Sequence, residues 1–527
     1  MRVLIVGSGP AAAAAALALT ANDAHEVDVI DAGERLEGSR RALLEEVNSR
    51  PPAEWPPQAA RELTKQPVFE LPGELPQRRL YGSDFPFRDV GQLAGLTAVR
   101  GGNRWAVSGA YGGFSNVWGA QVMPFTRETI EQWPIGYDAL LPHYAAILRH
   151  IPFAGADDDY SELFPLIAPA APLPTLAPGA LAALQRYESH RDAIRRRGVT
   201  LARARLALDS QRCIKCGLCL TGCPHGLVYS SPRTFDSLIA RRKVRYRARV
   251  LVLEVGEDAR GCWVIARDTA TGGPITFHAD RLFLACGGLG TTRVVLNSAR
   301  RDVRKLEVLE SAQFVLPFLS ARGYPDPRSY STFTLNQFNM LVQFGRPGLD
   351  LAHLHLYPYN PIFEEELPEL VRAVKPATNA ILRRATAALG YLPSWVSPKM
   401  VVDARPRAGS LPSVTVSSSP NGETPRTLRQ VMRRVLSVSR VLDLWPVLPV
   451  LRVAGPGKSY HFGGSFPHVP RPRASALESD TLGRLAEWRR IHIVDGTVLP
   501  SVPATTFTLS VMANAHRIAT AVAGDTT

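Results

Sequence analysis

The chain has 527 residues, which is too long for one simple core and predicts two or more domains. Its composition, with 45% hydrophobic and 20% charged residues, is that of a globular protein and excludes a disordered or fibrous one. The formal net charge of +14 permits nucleic acid, anionic lipid or acidic partners, but no helix-turn-helix, zinc-finger or RRM signature is present, so nucleic acid is not expected.

The start of the chain and its cysteines bear on the cellular compartment. Met1 and Arg2 lead directly into an apolar run that ends in glycine, without the h-region and cleavage site of a secretory signal. No segment reaches about 18 uninterrupted apolar residues, so a transmembrane helix is not expected. Four of the six cysteines fall within residues 213–223 and form no spread disulfide framework. We expect a cytoplasmic protein; export as the folded cargo of a partner is the alternative.

The N-terminal sequence RVLIVGSGPAAAAAALALT has the pattern of a strand, a tight turn and a helix. Residues 3–6 form a continuous apolar run, as expected for a central strand of a parallel sheet. Gly7 allows the turn, Gly9 lets the backbone approach a pyrophosphate, and Ala12 still permits close helix packing. The helix start offers free N–H groups and a positive dipole end to phosphate. The predicted cofactor contacts of this turn are Gly7, Gly9, Pro10, Ala11 and Ala12.

A second apolar strand over residues 27–30 is followed by Asp31. An acidic residue at this point can accept hydrogen bonds from a ribose diol. The unit of strand, turn, helix, strand and acid predicts a dinucleotide site; a glycine-rich turn without a ligand is the alternative. The later run 286–290 also follows a strand, but no ribose-binding acid appears at the right distance, so one dinucleotide is expected.

Two loops are predicted in the next part of the chain. Residues 37–90 are rich in proline and are interpreted as a loop folded over the cofactor. In SGAYGGFSNVWGAQVMPF, Gly112 and Gly113 give a loop thin enough to lie against a flat ring, while Ser115 and Asn116 supply polar groups. An ordinary surface loop is the alternative. The following QWPIGYDALLPHY predicts a turn that enters a helix near residue 137.

The segment CIKCGLCLTGCPHG contains Cys213, Cys216, Cys219 and Cys223, with Pro224 directly after them. This is the C-x2-C-x2-C-x3-C-P spacing of bacterial ferredoxins and favours an iron–sulfur cluster. Zinc prefers two separated C-x2-C pairs, and unmetallated thiols are the third interpretation. A 4Fe–4S cluster is favoured. A 3Fe–4S cluster is the alternative, because the fourth cysteine of such a run serves the other cluster in two-cluster ferredoxins.

The dinucleotide-binding part of the chain is expected to resume after the cysteines. ARVLVLEV (248–255), in which Val250 is a predicted cofactor contact, is rich in strand residues. DRLFLACGGLGTTRVVLNS (280–298) has the pattern of a buried strand, a glycine turn and a helix start, and Gly287 in that turn is a further predicted contact.

Residues 370–400 contain five basic residues and no acidic one, and they predict an amphipathic helix. Such a helix, beside Trp and Tyr, can lie on an anionic lipid surface. That would place the protein peripherally on the inner membrane surface. A helical hairpin that packs on a sheet with its basic face in water is the favoured alternative.

Two motifs near the C-terminus complete the pattern: YHFGGSFP (460–467) and IHIVDGTVLPSVPATTFTLSVMANAHRIA (491–519). Asp495 is predicted to end a strand, with Gly496 after it, and a helix is predicted to begin around Thr508. The start of that helix would direct N–H groups at something negative, such as the anionic edge of a reduced flavin.

These segments, in this order, resemble the glucose–methanol–choline (GMC) oxidoreductases. The matching motifs are VGSGPAA, YGGFSNVWG, WPIGYDALLPHY, LACGGLGTTRVVL, HFGGS and VDGTVLP. The resemblance implies an α/β fold with a discontinuous Rossmann-like FAD-binding domain and an antiparallel-sheet substrate-binding domain. The implied boundaries are residues 1–135, 225–300 and 458–527 for FAD binding, 136–212 and 301–457 for substrate binding, and 213–224 for the iron–sulfur loop.

The resemblance also implies a catalytic base. In the family, a His in an H-x-x-G-[ST] context takes the proton of a substrate hydroxyl as hydride leaves for the flavin; here this position is His461. A second His or Asn usually follows the C-terminal aspartate, but the alignment places Thr506 there, or Thr505 if it slips by one, with Phe507 as a further contact. Thr can hydrogen-bond a substrate oxygen but cannot relay a proton as His does.

Two other histidines are weaker candidates for the base. His468 lies close to the HFGGS motif in sequence, and His516 lies on the predicted C-terminal helix, where packing is the favoured role.

These features predict an FAD-dependent dehydrogenase that oxidises a CH–OH group in a sugar, sugar derivative or other alcohol. Some GMC relatives, including membrane-associated FAD sugar dehydrogenase subunits, carry an iron–sulfur cluster mid-chain. Flavin accepts two electrons as hydride and a cluster carries one, so the cluster would pass electrons to an external acceptor such as a cytochrome, ferredoxin or quinone. The alternatives are an electron-transfer flavoprotein that reduces quinone without an alcohol substrate, a non-catalytic scaffold, and a cluster that only stabilises its loop.

Overall fold

A computed structural model describes residues 1–65, 79–88, 96–99, 107–299, 305–360, 372–405 and 412–524. The helices are α1 (Pro10–Leu19), α2 (Gly38–Asn48), α3 (Pro57–Thr64), α4 (Arg127–Ile130), α5 (Tyr137–His150), α6 (Pro178–Ser189), α7 (Arg191–Arg195), α8 (Ser231–Ala240), α9 (Gly288–Ser298), α10 (Lys375–Leu382), α11 (Glu423–Leu442) and α12 (Thr508–Gly524).

The strands are β1 (Arg2–Val6), β2 (Glu26–Ile30), β3 (Leu96–Val99), β4 (Val199–Arg203), β5 (Val244–Arg247), β6 (Val250–Asp258), β7 (Gly261–Asp268), β8 (Pro274–Ala279), β9 (Arg281–Leu284), β10 (Lys305–Glu310), β11 (Gln313–Leu319), β12 (Phe338–Gln343), β13 (Leu351–Tyr357), β14 (Ala385–Tyr391), β15 (Lys399–Arg405), β16 (Ser413–Ser419), β17 (Trp445–Pro446), β18 (Arg452–Val453), β19 (Phe462–Gly463) and β20 (Ile491–Ile493).

A parallel sheet with strand order β20-β9-β1-β2-β5 forms the dinucleotide-binding part of the fold. Its central strand β1 is apolar at every position from residue 3 to 6, because both faces of the sheet are covered. Val3 and Ile5 belong to the core shared with α1 and α12, while Leu4 and Val6 pack into the core shared with β6, β7 and α9. The ends of the strands therefore remain as the place where a ligand can bind.

The helix after β1 is built almost entirely from alanine. Residues 11–19 of α1 are all buried, and α1 packs against α12, which also contacts α5. Alanine has the highest helix propensity and the smallest side chain compatible with it, so α1 can lie close to the sheet and to a second helix at once.

A seven-stranded sheet has the order β17-β11-β14-β13-β12-β4, with β18 also paired to β11, and its pairs are antiparallel. Along each strand, alternate residues point to opposite faces. One face is apolar and packs beneath α6 and α11; it includes Phe314, Met340, Leu354 and Ala388. The other face is polar in its middle, as described below. This combination confirms the predicted class, an α/β protein in which an antiparallel sheet accompanies a parallel one.

Two smaller sheets connect these parts. The order β19-β10-β15-β16-β3 joins the last motifs of the chain to its middle, because β19, just after His461, pairs with the end of β10. The strands β6, β7 and β8 form an antiparallel sheet of three strands on one side of the parallel sheet.

Two predictions about the irregular segments were wrong. The stretch 37–90 is no simple loop, because α2 and α3 form within its described residues. Within the described residues of the stretch 370–400, helix is limited to 372–373, α10 and a 3-10 turn at Ser394–Val396, and β14 lies in the interior of the seven-stranded sheet. Ala, Thr, Leu and Tyr in residues 385–391 suit a buried strand, and tertiary pairing overrides a helical pattern. The membrane contact, the less favoured interpretation of this segment, depended on a basic amphipathic helix over these residues.

Among the described residues, no helix combines the length and the hydropathy that crossing a bilayer requires.

Candidate functional site

The turn after β1 contains two glycines, Gly7 and Gly9, with different roles. Gly7 has a φ of +103°, and a Cβ there would overlap the carbonyl of Ala285, so only glycine fits. Gly9 has a negative φ, and a Cβ built on it would meet nothing within 4 Å. The fold therefore demands the first glycine, whereas the second leaves open space in front of the N-terminus of α1, where a phosphate would lie.

A second glycine loop is held against this turn. The N–H of Gly112 donates to Ser8 Oγ at 2.8 Å, and Ser231 Oγ donates to the carbonyl of Ser8 at 2.7 Å. A Cβ on Gly113 would be 3.7 Å from the Cα of Gly9, which measures how closely the two loops approach. Both Gly112 (φ +94°) and Gly113 (φ +56°) adopt the left-handed conformation that glycine tolerates best.

Ser115 and Asn116, the predicted polar groups of this loop, both bond to protein atoms. Ser115 Oγ donates to the carbonyl of Gly112 at 2.6 Å, and Asn116 Nδ2 donates to the carbonyls of Tyr111 and Gly113 at 3.0 and 2.8 Å. They therefore fix the loop's shape, and Asn116 Oδ1 is the polar atom of this pair that these bonds leave for a ligand.

Asp31 stands at the end of β2 as predicted, and it is enclosed. Ser8 Oγ donates to one carboxylate oxygen, and the N–H of Val250 donates to the main-chain carbonyl of Asp31 at 2.9 Å. Burial raises the pKa of Asp31 to about 7, against the opposing effect of the Ser8 hydrogen bond. A ribose diol that donated to the carboxylate would favour its ionised form.

Asp495 serves as a structural junction. It accepts hydrogen bonds from the N–H of Gly287 at 2.9 Å, from the hydroxyls of Thr291 and Thr497, and from the N–H of Thr497 at 3.0 Å. With four protein donors its carboxylate is fully occupied. Its side chain therefore ties the turn before α9 to the segment after β20, and a contact with a cofactor would come from main-chain atoms here or at Gly496.

His461 lies just before β19 and beside Tyr391 of the seven-stranded sheet. Its ring stacks on Tyr391 of β14, with centroids 4.6 Å apart at 20°, and meets Phe507 edge-on at 5.1 Å. Its main-chain N–H donates to Ser459 Oγ at 3.1 Å, and its carbonyl accepts from Ser311. Nδ1 is buried without a partner, and burial lowers the pKa of His461 to about 4, so the imidazole is neutral at pH 7.

The two threonines predicted beside the base are both present and both unsatisfied. Thr505 Oγ1 and Thr506 Oγ1 are buried, and neither has a hydrogen-bond partner. Buried hydroxyls in proteins are almost always paired, so each of these indicates a group that completes the site.

The other candidate bases both have hydrogen-bond partners on their rings. His468 is buried, with Nδ1 near the carbonyl of Asp480 and Nε2 3.0 Å from Asn514 Nδ2. His516 Nδ1 lies 2.9 Å from Nδ1 of His143. Both histidines therefore have packing or structural hydrogen bonds, in contrast to His461.

The four cysteines form one half-buried loop of free thiols. Cys219 Sγ accepts from the N–H of Thr334, and Cys223 Sγ accepts from the N–H of Leu227, each at 3.4 Å. Burial raises the pKa of Cys216 to about 12 and that of Cys219 to about 11, so these thiols are protonated at neutral pH in the absence of a metal. In the described part of the chain, which includes this whole loop, no three His, Cys, Asp or Glu side chains are arranged to hold a metal ion.

The cysteine loop nevertheless borders the predicted cofactor loop. A cavity of about 560 Å³ is lined by Cys219 and Cys223 of the cysteine loop and by Ser115, Asn116 and Trp118 of the glycine loop. The remaining cysteines lie elsewhere, Cys262 on β7 and Cys286 after β9.

A set of polar residues in the middle of the seven-stranded sheet was not predicted from the sequence. We call it the polar sheet face; its members are Gln313 on β11, Asn339 on β12, His353 and His355 on β13, and Tyr391 on β14, all buried. They are spread over almost 80 residues of sequence, and the only local signal is the alternation of His with apolar residues in LAHLHLY.

The chain has no match among protein-family models and none among curated proteins. Two solved structures resemble it along nearly its whole length. A pyridoxine 4-oxidase from Mesorbium loti shares 14% identity, with a TM-score of 0.59 over 98% of this chain and 98% of that one. A formate oxidase of Aspergillus oryzae RIB40, solved to study a mutation's effect on FAD modification, shares 13% identity, with a TM-score of 0.61 over 99% and 98%. At this identity the likeness establishes the fold alone, which this chain shares with these two oxidases.

Proposed function

We propose that the protein is an FAD-dependent oxidoreductase that oxidises a CH–OH group. The observation that carries the proposal is the buried, unpartnered ring nitrogen of His461. Its ring meets Phe507, and the two residues directly before Phe507 are the threonines with buried, unpartnered hydroxyls. Such a group is costly to bury unless a ligand satisfies it. It is found here on the fold of two oxidases, at the boundary between the parallel sheet and the polar sheet face.

The chain has the features needed to hold FAD. The open space at Gly9 and the N-terminus of α1 would accept the pyrophosphate, and Asp31 would accept the ribose hydroxyls. Gly112 and Gly113 would line the same cofactor site, because their loop packs against the turn at Gly9. When bound, the flavin supplies a two-electron acceptor for hydride.

In this proposal His461 is the general base. A substrate C–H and O–H are lost together: the hydride leaves the carbon, the proton goes to His461, and a C=O bond forms. The lowered pKa of His461 keeps its ring neutral and able to accept that proton. Stacking on Tyr391 fixes the ring plane, and the hydroxyl of Thr505 or Thr506 orients the substrate oxygen.

The test is anaerobic mixing of the FAD-loaded protein with a panel of alcohols and sugars, followed by absorbance of the flavin. We expect bleaching by at least one CH–OH compound and recovery of the carbonyl product in equal amount. Full FAD content without bleaching by any member of the panel would overturn the proposal in favour of an electron-transfer flavoprotein or a scaffold.

We further propose that the cysteine loop binds an iron–sulfur cluster and that an external acceptor, such as a cytochrome, ferredoxin or quinone, reoxidises the protein. Support comes from the ferredoxin-like spacing of Cys213, Cys216, Cys219 and Cys223 and from the cavity that Cys219 and Cys223 share with the cofactor loop. The described thiol positions would have to close around the cluster, because they are not arranged for a metal.

Iron, acid-labile sulfide and EPR spectra of protein purified without oxygen test this second proposal. About four or three irons per chain would distinguish 4Fe–4S from 3Fe–4S. Cys216→Ser should lose iron and keep FAD, with Cys262→Ser as the matched control that keeps both. Zinc, or no metal, in anaerobically purified protein would refute the cluster and leave the alcohol oxidation untouched.

A further inference from the structure

The exposed apolar side chains of this protein are concentrated in one place. Among the described residues, eight large apolar side chains are exposed, and five of them fall within residues 436–453. These five are Leu436, Trp445, Leu448, Val450 and Val453, with exposed fractions of 37–51%. Single exposed apolar residues are normal on a protein surface, whereas a cluster of them indicates contact with another molecule.

Most of this cluster follows one edge of the seven-stranded sheet. The short strands β17 and β18 both pair with β11, and the 3-10 turn Leu448–Val450 lies between them. Their partners on β11, Phe314–Leu319, span about 17 Å. We call the exposed apolar residues of this edge the apolar rim; they are Trp445, Leu448, Val450 and Val453.

Arginines flank the apolar rim on four neighbouring segments. Ser320, directly after β11, donates its N–H to the carbonyl of Arg384 at 3.0 Å, and Arg322 follows in the same loop. Arg440 lies in the last turn of α11, and Arg452 is on β18 itself. Arg384 is partly buried and the other three are exposed. A long arginine side chain can lie along apolar surface while its charge stays in a polar layer.

The helix α11 extends the positive charge away from the rim. Its exposed side carries Arg426, Arg429, Arg433, Leu436 and Arg440, each three or four residues after the one before. Residues 424–453 contain six arginines and a single acidic residue. That residue, Asp443, is buried and accepts from the N–H of Ala321 at 2.7 Å. The exposed charge of this segment is therefore positive throughout.

The combination of an apolar rim and flanking arginines has charge complementarity to an anionic lipid surface. Trp and aliphatic side chains settle at the boundary of headgroups and acyl chains, where arginines meet the lipid phosphates. A second copy of this chain in a two-fold contact would bring the same arginines together around the rim, and like charges oppose such pairing. A nucleic acid would meet the arginines but would offer the aliphatic side chains no apolar surface.

We propose that the apolar rim and the arginines beside it form a docking surface for an anionic lipid bilayer. The rim lies in the headgroup region, and the flanking arginines pair with lipid phosphates. This inference concerns where the protein binds in the cell, and it holds whether or not the flavin oxidises an alcohol.

The first experiment measures binding of the full-length FAD holoprotein to lipid vesicles by co-sedimentation. Vesicles of phosphatidylcholine alone are compared with vesicles that also contain about 30% phosphatidylglycerol, which carries the negative charge. We expect the dissociation constant to be lower by about tenfold or more for the anionic vesicles, and we expect this difference to disappear at about 0.5 M salt. Failure to bind either vesicle, or equal binding to both, would overturn the proposal.

The second experiment changes the docking surface itself. Leu448→Asp places a negative charge on the rim, and Arg440→Glu reverses a flanking charge. We expect each variant to bind the anionic vesicles about tenfold more weakly or worse. The matched controls are Leu181→Asp, at an exposed leucine of α6, and Arg260→Glu, at an exposed arginine between β6 and β7; both should bind normally.

FAD content and thermal unfolding of all four variants report on folding, and no change is expected because each substituted side chain is exposed. Normal vesicle binding by both Leu448→Asp and Arg440→Glu would place the lipid contact elsewhere on the protein and refute this surface.

Sedimentation velocity without lipid tests the second copy as the occupant. We expect the unmodified protein and Leu448→Asp to have the same oligomeric state. A dimer of the unmodified protein that Leu448→Asp dissociates would show that the rim is a contact between copies of this chain, and the lipid proposal would fall.

Discussion

The two large sheets of this protein place polar groups in opposite ways. In the parallel sheet both faces are buried, and the polar residues stand at strand ends, with Asp31 after β2 and Asp495 after β20. In the seven-stranded sheet, the residues of the polar sheet face lie instead in the middle of one face. A sheet covered on both sides offers a ligand only its edge, whereas a sheet covered on one side offers a surface.

The difference assigns a different task to each sheet. The edge of the parallel sheet presents main-chain N–H groups and a helix N-terminus, which suit a phosphate-bearing cofactor. The face of the antiparallel sheet presents side chains from four strands, one of which, Tyr391, stacks on His461. His461 belongs to neither sheet. It lies in the segment between β18, which pairs with the seven-stranded sheet, and β19, which pairs with β10. The reaction is therefore expected at their boundary, and each prediction below tests one side of it.

The largest effect is expected at the boundary itself. His461→Ala should lower the rate of substrate-driven flavin reduction by about 10²–10⁴-fold, because a positioned base is lost. FAD content should not change, since His461 makes no contact with the turn after β1. His516→Ala, at a half-buried histidine paired with His143, is the control and should reduce flavin normally. Stopped-flow absorbance measures both, and an unchanged rate in His461→Ala would remove it from the mechanism.

The next prediction concerns the edge of the parallel sheet and uses two glycines two residues apart. Gly7→Ala should destabilise the fold by about 1–3 kcal/mol or more, because of its positive φ and the overlap with Ala285. Gly9→Ala should leave the stability of the cofactor-free protein unchanged, since its Cβ meets no protein atom. It should weaken FAD binding by about tenfold or more, because a methyl group would occupy the space proposed for the pyrophosphate.

Fluorescence titration with FAD and thermal unfolding without it separate these two outcomes. Gly38→Ala, at the start of α2 with equally open surroundings, is the control and should change neither quantity. Normal FAD affinity in Gly9→Ala would mean that the cofactor does not approach this turn.

The residues at the edge of the parallel sheet could be predicted from the sequence, whereas the polar sheet face could not, for a physical reason. Gly7, Gly9 and Asp31 belong to one continuous strand–turn–helix–strand unit, whose spacing alone specifies the turn. The structure also has the helices predicted near residues 137 and 508. Asn339 and Tyr391 come to lie on one face of the sheet only because both of their strands pair with β13, which no local pattern reveals. The helix expected over 370–400 failed for the same reason, since long-range pairing draws residues 385–391 into the sheet.

A third prediction concerns the link that carries His461. Glu310 at the end of β10 is buried and accepts from the N–H of Gly457 at 2.7 Å and from Ser459 Oγ at 2.9 Å, and Ser459 in turn accepts from His461. Burial raises the pKa of Glu310 to about 7 from an ordinary 4.5. When the pKa of a group is higher in the folded state than in the unfolded state, the group stabilises the fold at pH values below its unfolded-state pKa. That stabilisation is lost as the pH rises through the folded-state pKa.

The unmodified protein should therefore lose up to about 3 kcal/mol of stability from this group between pH 4.5 and 7. Glu310→Gln cannot ionise and should flatten that part of the profile. Glu307→Gln on the same strand, where the side chain is exposed beside Lys399, is the control and should leave the profile unchanged. The measurement is the unfolding midpoint against pH for all three proteins. Parallel profiles for Glu310→Gln and the unmodified protein would contradict the assignment.

The smallest expected effect is a rate of flavin reduction that hardly changes with pH. It tests whether water reaches His461. An ordinary histidine with a pKa near 6.5 would be only about one tenth neutral at pH 5.5, whereas burial lowers the pKa of His461 to about 4 and keeps it almost wholly neutral there. Because only the neutral ring accepts a proton, the rate of flavin reduction at saturating substrate should change little between pH 5.5 and 8 and fall only on approach to about pH 4. A halving of the rate near pH 6.5 would show that water reaches His461 freely, and the polar sheet face would then be a solvated surface rather than a closed wall of the site.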